Sequence, residues 1–185
     1  MSFSLYVLGP PGVGKSTLLA GLMSNASPAT PGRKIHGLLY GHYFQDETCL
    51  YLGKMRDKFP GTDGLPMNVG PDAINWLTSG QLPDIILGEG ARLGYAGFLN
   101  ELSRRTETYI VHLTASEQYL EDRCRARGSN QKAAWRKGAA TRALTAASKT
   151  QNAKIITIRT DGLSTTNVLR LVRAELPKGL LERLG

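Results

Sequence analysis

Short apolar runs alternate with segments of helical period along most of the chain. FSLYVL (3–8), DIIL (84–87), TYIVHLTA (108–115) and KIITIRT (154–160) have the length and β-branched or aromatic content of buried strands. Between and after them, KSTLLAGLMS (15–24), PDAINWLTSG (71–80), YAGFLNELSRR (95–105), SEQYLEDRCRAR (116–127) and STTNVLRLVRAEL (164–176) read as helices. Pro71 suits the first turn of one helix, and Ser116 is placed to cap another. SNASPATPGRK (24–34) reads as loop. HGLLYGHYF (36–44) and TCLYLGK (48–54), split by QDE, read as a hairpin, because β-formers flank a short polar turn. The last helix is expected to stop before Pro177. Strands alternating with helices predict an α/β fold in one domain, with a mostly parallel sheet covered by helices on both faces.

Two irregular stretches interrupt this pattern. The first, GPPGVGKST (Gly9, Pro10, Pro11, Gly12, Val13, Gly14, Lys15, Ser16, Thr17), follows the first strand and opens the first helix. It fits G-x-x-x-x-G-K-[ST], in which backbone N–H groups of a tight loop converge on phosphate oxygens. Lys15 would neutralise β- and γ-phosphate charge, Ser16 would ligate Mg²⁺, and the helix start would add its partial positive end. The expected ligand is a nucleoside triphosphate, ATP in the first place and GTP as an open alternative. Among phosphate-loop proteins, a G-protein should carry N-K-x-D, which does not occur, and the nearest string to the LSGGQ of ABC-type ATPases, TSGQL (78–82), lacks its second glycine. Small nucleoside and nucleotide kinases fit the length best, as a P-loop NTPase three-layer sandwich. The second stretch, FPGTDGLPMNVGP (59–71), is too rich in Gly and Pro for regular structure and long enough to be a working loop.

Charge changes the picture through its location. Residues 123–149 hold eight Lys or Arg and no acid, while the other 158 residues balance 15 basic against 15 acidic groups, so the whole net charge of +8 sits in one window. A segment without acids repels itself, which points to a polyanionic partner, DNA being the candidate. The window is expected to form one or two helices acting as a basic lid. No apolar stretch approaches the roughly 20 residues of a membrane span. Two cysteines, Cys49 and Cys124, make neither a metal motif nor a disulfide framework, so a reduced, cytoplasmic setting is expected.

Candidate chemistry then falls at a few positions. Glu89 ends the predicted strand that follows Asp84, where open α/β sheets bind ligands; it would hold Mg²⁺ or take the acceptor's proton. Asp63 in the second loop is an equal candidate for the base. Arg92 would clamp the acceptor or a phosphate. Arg123 and Arg127, four apart, share a helix face and would close over the transferred phosphoryl group. Eight cations exceed what one triphosphate needs, which leaves Arg136, Lys137 and Arg142 for a second phosphate-bearing ligand. Among them, Trp135 could stack on a base while Asn130 and Gln131 read its edge. His36 and His42 read as ordinary strand residues.

The strings LYGHYF, LGKMRDKFPGTDGLPM, EGARL and RGSNQKAAWRKGAATR, with the phosphate loop, resemble bacteriophage P-loop kinases of the thymidylate- or deoxynucleotide-kinase-like group. Some of that group are 5-hydroxymethyluracil DNA kinases, which phosphorylate the hydroxymethyl group of the modified base within DNA. The resemblance runs from Gly9 to about Lys149. It implies an ATP- and Mg²⁺-dependent kinase with Lys15, Ser16, Asp63, Glu89 and Arg92 as its active-site set and residues 123–149 as lid and DNA contact. One position departs from the pattern: Ala91 stands beside the arginine where an acid is expected. A deoxynucleoside monophosphate kinase and a nucleic-acid-binding ATPase are the alternative readings of the same residues.

Overall fold

The structure, a computed structural model, describes residues 2–56, 60–129 and 131–184; the candidate base reader Asn130 lies outside them. Seven strands form one sheet in the order β2-β3-β4-β5-β1-β6-β7. These are β1 (Phe3–Leu8), β2 (Arg33–His36), β3 (Leu39–Phe44), β4 (Cys49–Leu52), β5 (Ile85–Glu89), β6 (Glu107–Thr114) and β7 (Ala153–Arg159). β4, β5, β1, β6 and β7 run parallel, and β3 and β2 add an antiparallel extension.

Alternation along β1 separates the two faces. Leu5 and Val7 join a cluster with Leu18, Leu19, Leu22, Leu120, Val168 and Val172 from α1 (Lys15–Leu22), α4 (Glu117–Ala126) and α6 (Thr165–Glu175). Tyr6 and Leu8 face Ala73, Leu77, Phe98, Leu99, Leu102 and Ala143 from α2 (Gly70–Ser79), α3 (Ala96–Arg105) and α5 (Ala133–Lys149). Period-2 strands buried on both sides thus give the three expected layers. Ser116 caps α4 as its position suggests, its side chain accepting from the Tyr119 N–H.

Three local expectations change. The hairpin is a three-stranded meander, because β2 occupies the end of the presumed loop. Arg33, Lys34 and His36 are exposed at the sheet edge, so no apolar alternation announces the strand. Pro177 begins a further helix, α7 (Lys178–Leu184), which buries Leu180 and Leu184; its carbonyl accepts from the Leu180 N–H at 3.1 Å. Proline is tolerated in a first helical turn, where its missing N–H has no partner to lose. The basic window is helical as expected, but part of it is core rather than lid: it comprises the end of α4, the connecting residues 127–129 and 131–132, and α5, whose Ala143, Ala146 and Ala147 are buried. No helix among the described residues is long and apolar enough to cross a membrane.

Candidate active site

The first irregular stretch folds into a loop at the end of β1. Gly9, Gly12 and Gly14 all have positive φ, at 150°, 87° and 106°. The loop is also crowded: a Cβ on Gly9 would lie 2.6 Å from the Leu113 carbonyl oxygen, and one on Gly12 would lie 3.1 Å from Cys124 Sγ. Glycine is therefore required for both conformation and space. Lys15 Nζ donates to the carbonyls of Gly9 and Pro10 at 3.0 and 3.1 Å, which curls its ammonium back over the loop. Burial lowers its pKa, and the nearby Glu89 and Asp63 carboxylates oppose that shift. Val13 packs its side chain into the core cluster beneath the loop.

Glu89 meets the loop from the end of β5 and is 1% exposed. Ser16 Oγ donates to its Oε2 and Tyr51 Oη to its Oε1, both at 2.9 Å. Burial pushes its pKa up, against the pull of Lys15 and of these two hydrogen bonds. The hydroxyl–carboxylate pair supplies the hard oxygen donors Mg²⁺ prefers, and that ion commonly takes one or two protein oxygens and completes its shell with phosphate and water. The described residues contain no cluster of three His, Cys, Asp or Glu, so a cation here would depend on the nucleotide.

Asp63 belongs to a 3-10 turn, Thr62–Gly64, docked on the end of β5. Thr62 Oγ1 donates to the Glu89 carbonyl at 2.8 Å, and Tyr6 Oη donates to the Gly90 carbonyl at 2.9 Å and lies 2.9 Å from Thr62 Oγ1. Held in this way, Asp63 Oδ1 accepts from the Ala91 N–H at 2.7 Å. Asp63 also lines the cleft containing Gly9, Lys15, Ser16 and Glu89, with a volume of about 1000 Å³.

The family profile P-loop Nucleotide Kinase3 matches residues 2–166. The chain belongs to this family of P-loop nucleotide kinases. No curated protein matches the sequence. Membership agrees with the loop and the strand order already described, and makes the protein a phosphotransferase.

In this kinase the remaining candidates divide by location. Arg92, Arg127, Gln131, Trp135 and Arg142 line the same cleft. Arg92 Nη1 lies against Met67 Sδ, and its buried Nε has no partner. The Arg142 guanidinium lies 5.0 Å from the Trp135 ring centroid. Arg123 faces a smaller pocket between Gly14, Thr17, Tyr119, Thr160 and Leu163; it donates to Tyr119 Oη at 2.9 Å.

Arg136 corrects the expectation of a substrate-facing cation. It is 4% exposed and paired with Glu117, and a buried guanidinium that already has an acid partner is not free for a polyanion. Arg125 is paired with Glu121. The window lacks acids of its own, but the first half of α4 supplies them. Lys137 is exposed on α5, away from the cleft lining. The sequence reading missed Tyr51, Thr62 and Tyr6. They look like strand or loop residues, and only the register Tyr51↔Leu87, two residues short of Glu89 on the same face, reveals the phenol's target.

Proposed function

We propose that the protein transfers the γ-phosphoryl group of ATP to a hydroxyl acceptor carried on DNA, in particular the hydroxymethyl group of 5-hydroxymethyluracil. The observation that carries the hydroxyl half of this reading is the Asp63 carboxylate, anchored on the Ala91 N–H in the cleft that holds Lys15. A hydroxyl must lose its proton as it attacks, and a positioned carboxylate accepts it. A phosphate monoester is largely ionised at pH 7 without help, and a carboxylate beside it would repel it. Glu89 is unsuited to the proton transfer, because both its oxygens already accept hydrogen bonds out of reach of solvent.

In the step itself, the acceptor oxygen bonds to the γ-phosphorus, the bond to the β-bridging oxygen breaks, and the proton passes to Asp63 as ADP leaves. The loop amides and Lys15 bind the phosphates, and Arg127 and Arg92 approach them from the cleft walls. Mg²⁺, where bound, would be held through Ser16 and Glu89 and would neutralise charge on the phosphates.

The DNA half rests on three features. Six of the eight window cations have no ion pair among the described residues. Trp135, 55% exposed, stands at the cleft with Arg142 over its ring, a suitable surface for an unstacked base. The sequence resemblance points the same way. A base in duplex would have to be flipped out, at a cost of a few kcal/mol. The test is incubation with γ-labelled ATP and either hydroxymethyluracil-containing DNA or a panel of nucleosides and monophosphates. Label on DNA is the expected result. Label confined to monophosphates would overturn the hydroxyl assignment, and label released only as inorganic phosphate would mark an ATPase.

A further inference from the structure

Arg136 lies behind the cleft wall, yet it ties α4 to the residues that connect α4 and α5. From the first turn of α5, its Nε donates to Glu117 Oε1 at 2.7 Å, and its Nη2 lies 2.5 Å from the same oxygen and 3.6 Å from Glu121 Oε2. Its Nη1 donates to the Gln131 backbone carbonyl at 2.5 Å. The side chain is 5% exposed, whereas the two carboxylates are 34% and 42% exposed. A charge so enclosed is held by its partners, and it holds them in turn.

The connector between α4 and α5 is what this contact secures. Its described residues Arg127, Gly128, Ser129 and Gln131 all line the cleft. The leading end is fixed by the cap of α4: Gly128 has φ 66°, its N–H donates to the Arg125 carbonyl, and the Ser129 N–H donates to the Cys124 carbonyl. At the trailing end, the Gln131 carboxamide oxygen is buried without a partner, so the side chain does not anchor the residue. The backbone bond to Arg136 does.

Building on the kinase reading, we infer that Arg136 is a positioning residue: its hold on the Gln131 carbonyl seats the connector over the phosphate loop, and with it Arg127 and the uncommitted Gln131 carboxamide. Phosphoryl transfer therefore depends on a guanidinium that touches neither donor nor acceptor.

The test uses the full chain and two variants. Arg136→Lys keeps a cation beside Glu117 but lacks the second arm that reaches the carbonyl. The double variant Arg136→Met, Glu117→Met replaces the pair by apolar groups of similar size, a change that buried ion pairs often tolerate without loss of stability. Both are expected to keep a Tm close to the wild type. In both, kcat/KM for ATP should fall about a hundredfold, the scale of a ~1 Å misplacement, through higher KM as well as lower kcat. Tryptic cleavage after Arg127 should be faster in both, and ATP should protect that bond less well than in the wild type. Wild-type kinetics and wild-type cleavage in a folded variant would overturn the inference. So would full kinetic rescue by Arg136→Lys, because charge alone would then suffice. Cleavage and calorimetric ATP affinity need no acceptor, so the latch is judged separately from the acceptor assignment.

Discussion

Replacing Asp63 in two ways separates its chemistry from its structural contact. Asp63→Asn keeps the size of the side chain and an oxygen to accept from the Ala91 N–H, but removes the basic carboxylate. The loss should be one of general-base catalysis, about 10²–10⁴-fold in kcat, or about 2.7–5.4 kcal/mol at 1.36 kcal/mol per decade. Asp63→Ala removes the acceptor as well. The Ala91 N–H lies in an exposed hydrogen bond, so water can replace the lost partner. The added cost is then an ordinary hydrogen bond, about 0.5–1.5 kcal/mol. For a chain of this length, each kcal/mol corresponds to about 2–4 °C in Tm. Single-turnover transfer from labelled ATP gives the chemical step, calorimetry gives ATP affinity, and scanning calorimetry gives Tm. The expected pattern is equal catalytic loss in both variants, unchanged ATP affinity, and a lower Tm in Asp63→Ala only. Transfer by Asp63→Asn within tenfold of wild type would refute Asp63 as the base, and with it the argument for a hydroxyl acceptor.

Three further outcomes follow from the same geometry. Lys15→Ala should lower turnover at least ~10²-fold in steady-state assays, as for loss of one preorganised transition-state donor. Gly90→Ala should lower both kcat and Tm, because Gly90 has φ 102° and a Cβ there would lie 2.9 Å from Asp63 Cγ; activity and scanning calorimetry are the check. His112 is buried in β6, and burial depresses its pKa below the ordinary 6.5. Below that value the unfolded chain binds the proton more readily than the folded one, so stability should fall as pH drops from about 6.5, and less so in His112→Asn. Urea midpoints at pH 7 and pH 5.5 measure the difference.

The phosphate loop was legible because its chemistry is local: three glycines, a lysine and a serine act within nine residues between a strand and a helix. Four of the five parallel strands were legible from their apolar runs, while β4 was legible only as one arm of a hairpin. What escaped depends on distance along the chain. Glu117 lies 19 residues before Arg136, so a window drawn around cations alone counted a buried latch as a free charge. Tyr51 meets Glu89 across 38 residues, and an apolar strand gives no sign of which tyrosine turns its hydroxyl on a carboxylate. β2 and α7 escaped for opposite reasons, one exposed enough to resemble a loop and the other announced by a proline that resembled a stop.

In the proposed mechanism, burial gives the two carboxylates different roles that spacing left equal. Held between Ser16 and Tyr51, Glu89 keeps one oxygen on the phosphate-loop serine and the other on the Tyr51 phenol, a fixed anionic position suited to a cation ligand. Asp63 commits one oxygen to the Ala91 N–H and stands in the open cleft, where an acceptor can approach it and a proton can later depart. The structural cost is carried by Tyr6 and Thr62, which pin the Asp63 turn to the carbonyls of Glu89 and Gly90. A carboxylate on an unpinned loop of glycines and prolines would sample many positions, and general-base catalysis falls away once the proton is out of hydrogen-bond reach. One carboxylate is thus fixed by enclosure and the other by its neighbours, and the end of β5 is the common reference for both.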